Sequence, residues 1–288
     1  MLCLRIGFIG AGKVGFSLGK YFTEKGIDVS GFYSRNSDSS KEAAKFTKTK
    51  YYETLEEIIQ NSDTLFLTVP DGSICEVYSE IIKSDINGKC LVHCSGAISS
   101  EVFFGISEKG AKGCSVHPIC AVSDKFEGYK ALSKAYFTAE GEAEGLVQLL
   151  RNCGNNVELI SPESKVKYHA SAVFASNLVI GLYNIATELL QECGLSESFS
   201  VNALKPLFLG NSERVVSDGA VNALTGPVER ADDVTVGKHL ALLDGDSMEI
   251  YRMLSRHLVD IAERKNPHRD YSGLYVILEN SKCRNRRD

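Results

Sequence analysis

Residues 4–22 read "LRIGFIGAGKVGFSLGKYF", and the reading of this stretch decides that of the rest of the chain. The apolar run LRIGFI leads directly into Gly10-x-Gly12-x-x-Gly15. Apolar residues at helical spacing follow, so the glycines fall where a strand turns into a helix. In that position each glycine has a task. Gly10 permits the tight turn, Gly12 lets the backbone approach a pyrophosphate, and Gly15 lets the helix pack closely on the strand. Amides at the helix start, together with its dipole, favour an anion. With Ala11, Lys13 and Val14 between them, the glycines form a candidate dinucleotide cradle.

The next strand-like run ends "GFYSRNSDSS" (31–40), and it separates the two common dinucleotides. A site for NAD places Asp or Glu here to accept bonds from the ribose 2′-hydroxyl. This chain instead offers Ser34, Arg35 and Asn36, with no carboxylate before Asp38. A guanidinium flanked by hydroxyls suits a 2′-phosphate, which a carboxylate would repel. The expected cofactor is therefore NADP; the plainer alternative is an arginine that solvates a loop.

Outward from this turn, residues 1–120 alternate short apolar runs with amphipathic ones. Strands are expected at 4–9, 27–33, 63–70, 89–95 and 111–118, with a short one at 49–54 and two more at 134–141 and 155–160. Helical spacing lies between them, including "SSEVFFGISEKG" (99–110). Regular alternation of this kind marks an α/β, Rossmann-type doubly wound parallel sheet. After Ser161-Pro162 the strand signal stops. Residues 162–194 read as one helix starting at a Ser cap with Pro in its first turn and ending at a Gly cap. Its centre is apolar all round, so it should be buried between neighbours or at a subunit contact. Shorter helices are expected near 198–218, 231–243, 247–265 and 268–280. The division is thus 1–160 for the dinucleotide-binding domain and 161–288 for an all-α domain that serves substrate and dimerisation.

Composition narrows the function classes. The 288 residues carry a formal net charge of -5, with 43% hydrophobic and 24% charged residues, which argues against a nucleic-acid or anionic-membrane surface. No stretch reads as a membrane span, and the N-terminus shows no basic leader, so a cytoplasmic protein is expected. Nine cysteines are dispersed without a CxxC pair, which fits free thiols in a reducing compartment. Cys90, His93, Cys94, Cys114, His117 and Cys120 are metal-ligand types. Neighbours on a strand point to opposite faces, however, so His93 and Cys94 would diverge and no metal is expected.

Ligands of such sheets lie beyond the carboxyl ends of the strands. Three segments there carry chemistry: "TVPD" with Val69, Pro70 and Asp71 as a plausible helix cap, "HCSGA" with His93, Cys94, Ser95 and Gly96, and "HP" with His117. Val69, Pro70, Asp71, Cys94, Ser95 and Gly96 complete the candidate cofactor contacts. The plainer reading of each histidine is a polar group satisfied by backbone at a strand end.

These segments, with "KYHASAVFASN", "ALTGPVERAD" and "TVGKHLALL", resemble in order and spacing a family of Rossmann-like NADP oxidoreductases that carry an uncharacterised helical C-terminal domain. That family is distantly related to pyrroline-5-carboxylate reductase and to the 3-hydroxyisobutyrate and 6-phosphogluconate dehydrogenases. The resemblance runs from about residue 4 to 255. It implies an NADP-binding domain, a helical domain that makes a homodimer, and a cleft between them; it implies no particular substrate. In the 3-hydroxyacid dehydrogenase relatives a Lys and an Asn one turn apart serve the substrate. Here Lys167 and Asn177 are too far apart in sequence for that pattern, which puts His169, with Asn177, first as acid/base, followed by His117 and His93, with Lys167 as an alternative. His169 and Ser176 share a helix face, with Asn177 close to it. Ser95, Ser176, Thr225, Arg230 and His239 complete the candidate substrate contacts. The expected activity is hydride transfer to or from a small polar hydroxy acid, carbonyl, amine or imine. The alternative is a dimer that senses NADP(H) without catalysis.

Overall fold

The structure is a computed structural model and describes residues 4–279. Eight strands form one sheet: β1 (Ile6–Ile9), β2 (Val29–Tyr33), β3 (Lys50–Tyr51), β4 (Thr64–Leu67), β5 (Cys90–His93), β6 (Lys112–Ile119), β7 (Tyr136–Gly141) and β8 (Asn156–Leu159). Their spatial order is β3-β2-β1-β4-β5-β6-β7-β8. Every pairing is parallel except β6 with β7. The order reverses direction between β1 and β4, and at that switch point the cradle sits.

Helices α1 (Lys13–Glu24), α2 (Ser37–Thr47), α3 (Leu55–Gln60), α4 (Ile74–Ile81), α5 (Gly128–Leu132) and α6 (Glu144–Asn152) cover the sheet. Alternate strand residues feed two separate cores, as period-two side chains must. Phe8, Phe66, Val92 and Val116 pack with Phe16, Leu18 and Phe22 of α1 and Leu146 and Leu150 of α6. Leu65, Leu67 and Leu91 pack on the other face with Ile58 and Ile59 of α3 and Ile74 and Ile81 of α4. A Cβ on Gly19 would lie 2.3 Å from Cζ of Phe32, so the bare helix face admits that ring, which stacks on Phe8 at 5.2 Å.

Three helical expectations need correction. Residues 99–110 form only short 3₁₀ turns, Ser100–Phe103 and Ser107–Lys109, interrupted at Gly105 with φ +75. The expected long helix is broken: α7 (Lys165–Phe174) ends at Ala175, and α8 (Asn177–Glu192) starts after Ser176, whose φ -131 and ψ -83 are not helical. Asp71 does not cap a helix either. It opens a 3₁₀ turn, Asp71–Ser73, after Pro70.

The chain divides into compact units between Ala175 and Ser176, so α7 falls in the same unit as the sheet. The second unit holds α8, α9 (Glu197–Ala223), α10 (Asp233–Leu242), α11 (Gly245–Lys265) and α12 (Ser272–Glu279). Its core is small: Val228, Val236, Val259, Ala262, Tyr271, Leu274 and Leu278. Apolar residues of α8 and α9 stay outside it, with Ile180 at 69% and Val216 at 88% exposure. Taken across the break, Pro162–Glu192 is long and apolar enough to cross a membrane by length and composition, with mean hydropathy 1.4, which corrects the expectation that no stretch approaches a span.

Candidate functional site

The cradle is built from β1, the start of α1 and the ends of β2 and β4. Gly10 has φ +105, and a Cβ there would lie 2.7 Å from the Thr68 carbonyl oxygen. A Cβ on Gly15 would stand 2.3 Å from Thr68 Oγ1 and 2.5 Å from the Gly10 oxygen. Thr68 uses the space: its hydroxyl donates to the Gly10 carbonyl at 2.7 Å and ties β4 to the turn. Internal packing therefore accounts for Gly10 and Gly15. Gly12 is different. Its nearest neighbour to a Cβ would be the Thr68 oxygen at 3.9 Å, so the chain's own packing gives no reason for this bareness. Gly12 also caps α1 without a side-chain bond, and the first turn carries no acidic residue, which leaves its amides for an anion. These residues fit a dinucleotide pyrophosphate.

Beside the turn lies a cavity of about 250 Å³, bounded by Tyr33, Ser34 and Arg35 after β2, Val69 and Pro70 after β4, and Glu76, Val77 and Glu80 on α4. Ala11 is buried, Lys13 exposed, and Val14 packs against the core. Asn36 caps α2, its side-chain oxygen accepting from the Asp38 amide at 3.0 Å.

A second polar cluster occupies the ends of β5 and β6. Ser95 is 5% exposed and its hydroxyl is fully engaged. It donates to Asp71 Oδ2 at 2.7 Å and accepts from the amides of Ala97 and Ile98. His93 is completely buried. Its Nδ1 accepts from the Ser95 amide at 3.3 Å, so Nε2 carries the proton and donates to the Ser99 carbonyl at 3.2 Å. Burial, with Lys165 nearby, depresses its pKa to about 4. Both nitrogens are spent on the loop, so His93 shapes the site and has no atom left for a substrate. Burial also pushes the Cys94 thiol up to about 12, which keeps it protonated and a poor nucleophile.

Helix α7 closes the cluster. Lys165, Tyr168 and His169 follow i, i+3, i+4 spacing and share one face. Lys165 is 1% exposed, and its ammonium donates to the Ser95 carbonyl at 2.8 Å and to the Ser115 hydroxyl, joining α7 to β5 and β6. Burial lowers its pKa. Tyr168 meets His117 Nδ1 at 2.7 Å, and burial raises the phenol's pKa, so the phenol stays protonated. A phenol that donates to Nδ1 leaves the His117 proton on Nε2. Burial first, then Lys165 and His169, depress the His117 pKa to about 4 and hold the ring neutral. The rings of His117 and His169 stand edge to face, 6.2 Å apart. Gly96 lies between them: a Cβ there would be 2.6 Å from His169 Cδ2 and 3.0 Å from His117 Nε2.

The structure thus brings His117, His169, Ser95, Gly96 and Asp71 together and leaves Lys167 exposed on the far side of its helix. The lysine that enters the cluster is Lys165, four residues before His169. Sequence reasoning ranked Lys167, gave Lys165 no role and passed over Tyr168; the i, i+3, i+4 spacing was the available signal. Ser176 and Asn177 stand at the helix break, where the Ser176 hydroxyl meets Asn177 Oδ1 at 3.1 Å. In the helical unit Thr225 and Arg230 are exposed, and His239 Nδ1 pairs with the Tyr251 hydroxyl at 2.8 Å. Among the described residues no group of three or more His, Cys, Asp or Glu side chains is placed to hold a metal ion.

Comparison with known proteins gives two family matches. Residues 2–118 match the Rossmann-like domain, and residues 135–258 match DUF2520, a domain of unknown function. The chain joins a Rossmann-like domain to a DUF2520 domain. Its sequence is 31% identical over 90 residues to an uncharacterized 28.5 kDa protein of Methanothermus fervidus. That match takes in 29% of this chain and 36% of the length of that curated relative. Among solved structures, a Bacteroides fragilis protein provisionally described as an NADP oxidoreductase is similar at TM-score 0.67 and 24% identity, covering 89% of this chain and 98% of its own. A reductive aminase of Aspergillus terreus, in complex with NADPH and ethyl-5-oxohexanoate, is similar at TM-score 0.61 and 16% identity, covering 94% and 98%. A pyrroline-5-carboxylate reductase of Coxiella burnetii is similar at TM-score 0.56 and 13% identity, covering 96% of each chain. At these identities the likeness is one of fold.

Proposed function

We propose that the protein is an NADP(H)-dependent oxidoreductase acting on a small polar carbonyl, imine, alcohol or amine. One observation carries the reading: two imidazoles converge on bare Gly96, at the strand ends of a sheet whose glycine turn is shaped for a dinucleotide. The names of the structural neighbours, which include NADPH-bound reductases, support the same class. Gly10, Gly12, Gly15 and the α1 amides would hold the pyrophosphate, Ser34 and Arg35 the 2′-phosphate, and Val69 and Pro70 the neighbouring wall. When bound, the nicotinamide supplies or receives the hydride.

The chain's own residues handle orientation and the proton. Tyr168 donates to His117 Nδ1 and leaves a hydrogen on Nε2, beside Gly96. A neutral imidazole in that place polarises a substrate oxygen or nitrogen by hydrogen bonding without itself giving up a full proton. His169 is half-buried and in reach of water, which suits it to exchange the proton. Lys165 fixes the Ser95 carbonyl and so the loop that carries Gly96.

The test is a screen of aldehydes, 2-oxo acids and cyclic imines with NADPH, followed by His169→Ala and His117→Ala. The expected result is a turnover loss of about a hundredfold or more for each, with NADPH affinity kept. NADPH binding without turnover of any substrate in the screen would favour a sensing role; His169→Ala without effect on turnover would remove that residue from the mechanism.

We also propose a homodimer through the helical half. The exposed Ile180, Leu207 and Val216 on α8 and α9 are the support, since water is a poor solvent for that much apolar surface. Gel filtration should give twice the chain mass. A monomer at micromolar concentration, or recovery with membranes, would overturn this. A cytosolic setting accords with the free cysteines among the described residues; Cys3 and Cys283 lie outside them.

A further inference from the structure

The mouth of the cavity beside the glycine turn carries one cation, Arg35, and two carboxylates, Glu76 and Glu80. Glu80 is matched by Lys83, whose ammonium lies 2.7 and 2.8 Å from its two oxygens. Glu76 is matched by Arg35 itself, at 3.8 Å between Oε1 and Nη1. The guanidinium on which a 2′-phosphate would depend therefore already has a partner, and that partner is on α4, across the cavity from β2.

We infer that Glu76 sets the cofactor preference of this site, by competing with the ribose 2′-phosphate for Arg35. The inference rests on the reading of the cavity as a dinucleotide site. The pair is wide and exposed, with side-chain exposures of 74% and 68%, so it is weak and exchangeable and adds little to stability. A 2′-phosphate brings more charge and can take two guanidinium hydrogens at once, which a carboxylate at 3.8 Å does not. It displaces Glu76, and the loss of that ion pair lowers the affinity for NADPH. NADH, with a neutral 2′-hydroxyl, has no need to break the pair. The chain accordingly discriminates between the two cofactors less sharply than its arginine alone would dictate.

The experiment is calorimetric titration of the full-length protein with NADPH and with NADH, for the unchanged chain, Glu76→Gln, Arg35→Ala and the double variant. Glu76→Gln should tighten NADPH about three- to tenfold and leave NADH within about twofold, and the gain should shrink as salt is raised from low to physiological strength. Arg35→Ala should remove most of the NADPH preference, and in that background Glu76→Gln should bring no gain. Equal effects of Glu76→Gln on both cofactors, weaker NADPH binding, or a gain that survives without Arg35 would each overturn the inference while leaving the dinucleotide site intact. If the unchanged chain binds neither cofactor, the dinucleotide reading fails and this inference with it.

Discussion

At the β1–β2 end of the sheet the chain offers backbone: three glycines, a row of helix amides and one exposed arginine. At the β5–β6 end it offers side chains, with Lys165, His93, His117 and Ser95 drawn out of water and bonded to one another's loops. The first region draws on residues 10–35 together with Thr68, Val69 and Pro70 after β4. The second needs groups from β5, β6 and α7, with Lys165 reaching across 70 positions to Ser95. A region made of backbone tolerates almost any side chain that leaves room, whereas one made of buried polar groups depends on each partner.

The largest expected effect tests the backbone region. Gly15→Val should destabilise by about 3 kcal/mol or more in chemical denaturation, because the added atoms meet Thr68 and the Gly10 carbonyl. Gly12→Ala should change stability by less than about 1 kcal/mol and yet weaken NADPH binding at least about tenfold. Similar stability losses in both variants would erase the distinction between a packing glycine and a ligand glycine.

Lys165→Met addresses the other region. It removes a buried ammonium but strands the Ser95 carbonyl, effects of opposite sign. Stability should therefore stay within about 2 kcal/mol while turnover falls about a hundredfold. A large stability loss with normal turnover per folded molecule would make the lysine purely structural.

The pH dependence separates the regions further. His93 and His117 have folded pKa values depressed to about 4, against 6.5 for a free imidazole. The unfolded chain thus binds more protons between those values. The stability from neutral burial is complete above about pH 6.5 and is lost as pH falls towards 4, by up to about 3 kcal/mol per ring. His117→Asn should flatten part of that slope in melts between pH 7 and 4.5; an unchanged slope would place the titration elsewhere.

The smallest effect belongs to Tyr168→Phe. It should cost about tenfold in turnover, because the His117 tautomer is no longer held, and should leave cofactor affinity alone.

The same contrast explains what could be read from sequence. Strand positions and the cradle were legible because each depends on local periodicity and on glycines a few residues apart. His117 and His169 were legible as residue types at strand and helix positions. Lys165 was not singled out, because its burial depends on how α7 rolls against β5 and β6. Lys167, two residues on, has the same chemistry and faces water. The break at Ser176 was hidden for a similar reason. Nothing in "VFASNLV" forbids helix, and both flanks favour it. Glu76 was missed because the partner of Arg35 comes from α4, on the opposite wall.

The reach of Lys165 has a consequence for how the molecule is made. Its bonds join α7 to residues 70 and 50 positions earlier, so they close long loops. Such contacts form late, after the chain has met the entropy of closing those loops. The cradle, whose Thr68–Gly10 bond spans 58 positions, needs none of these bonds and can exist before them. In refolding, recovery of NADPH binding should therefore precede recovery of turnover, and the chemistry would be the last property of the chain to arrive.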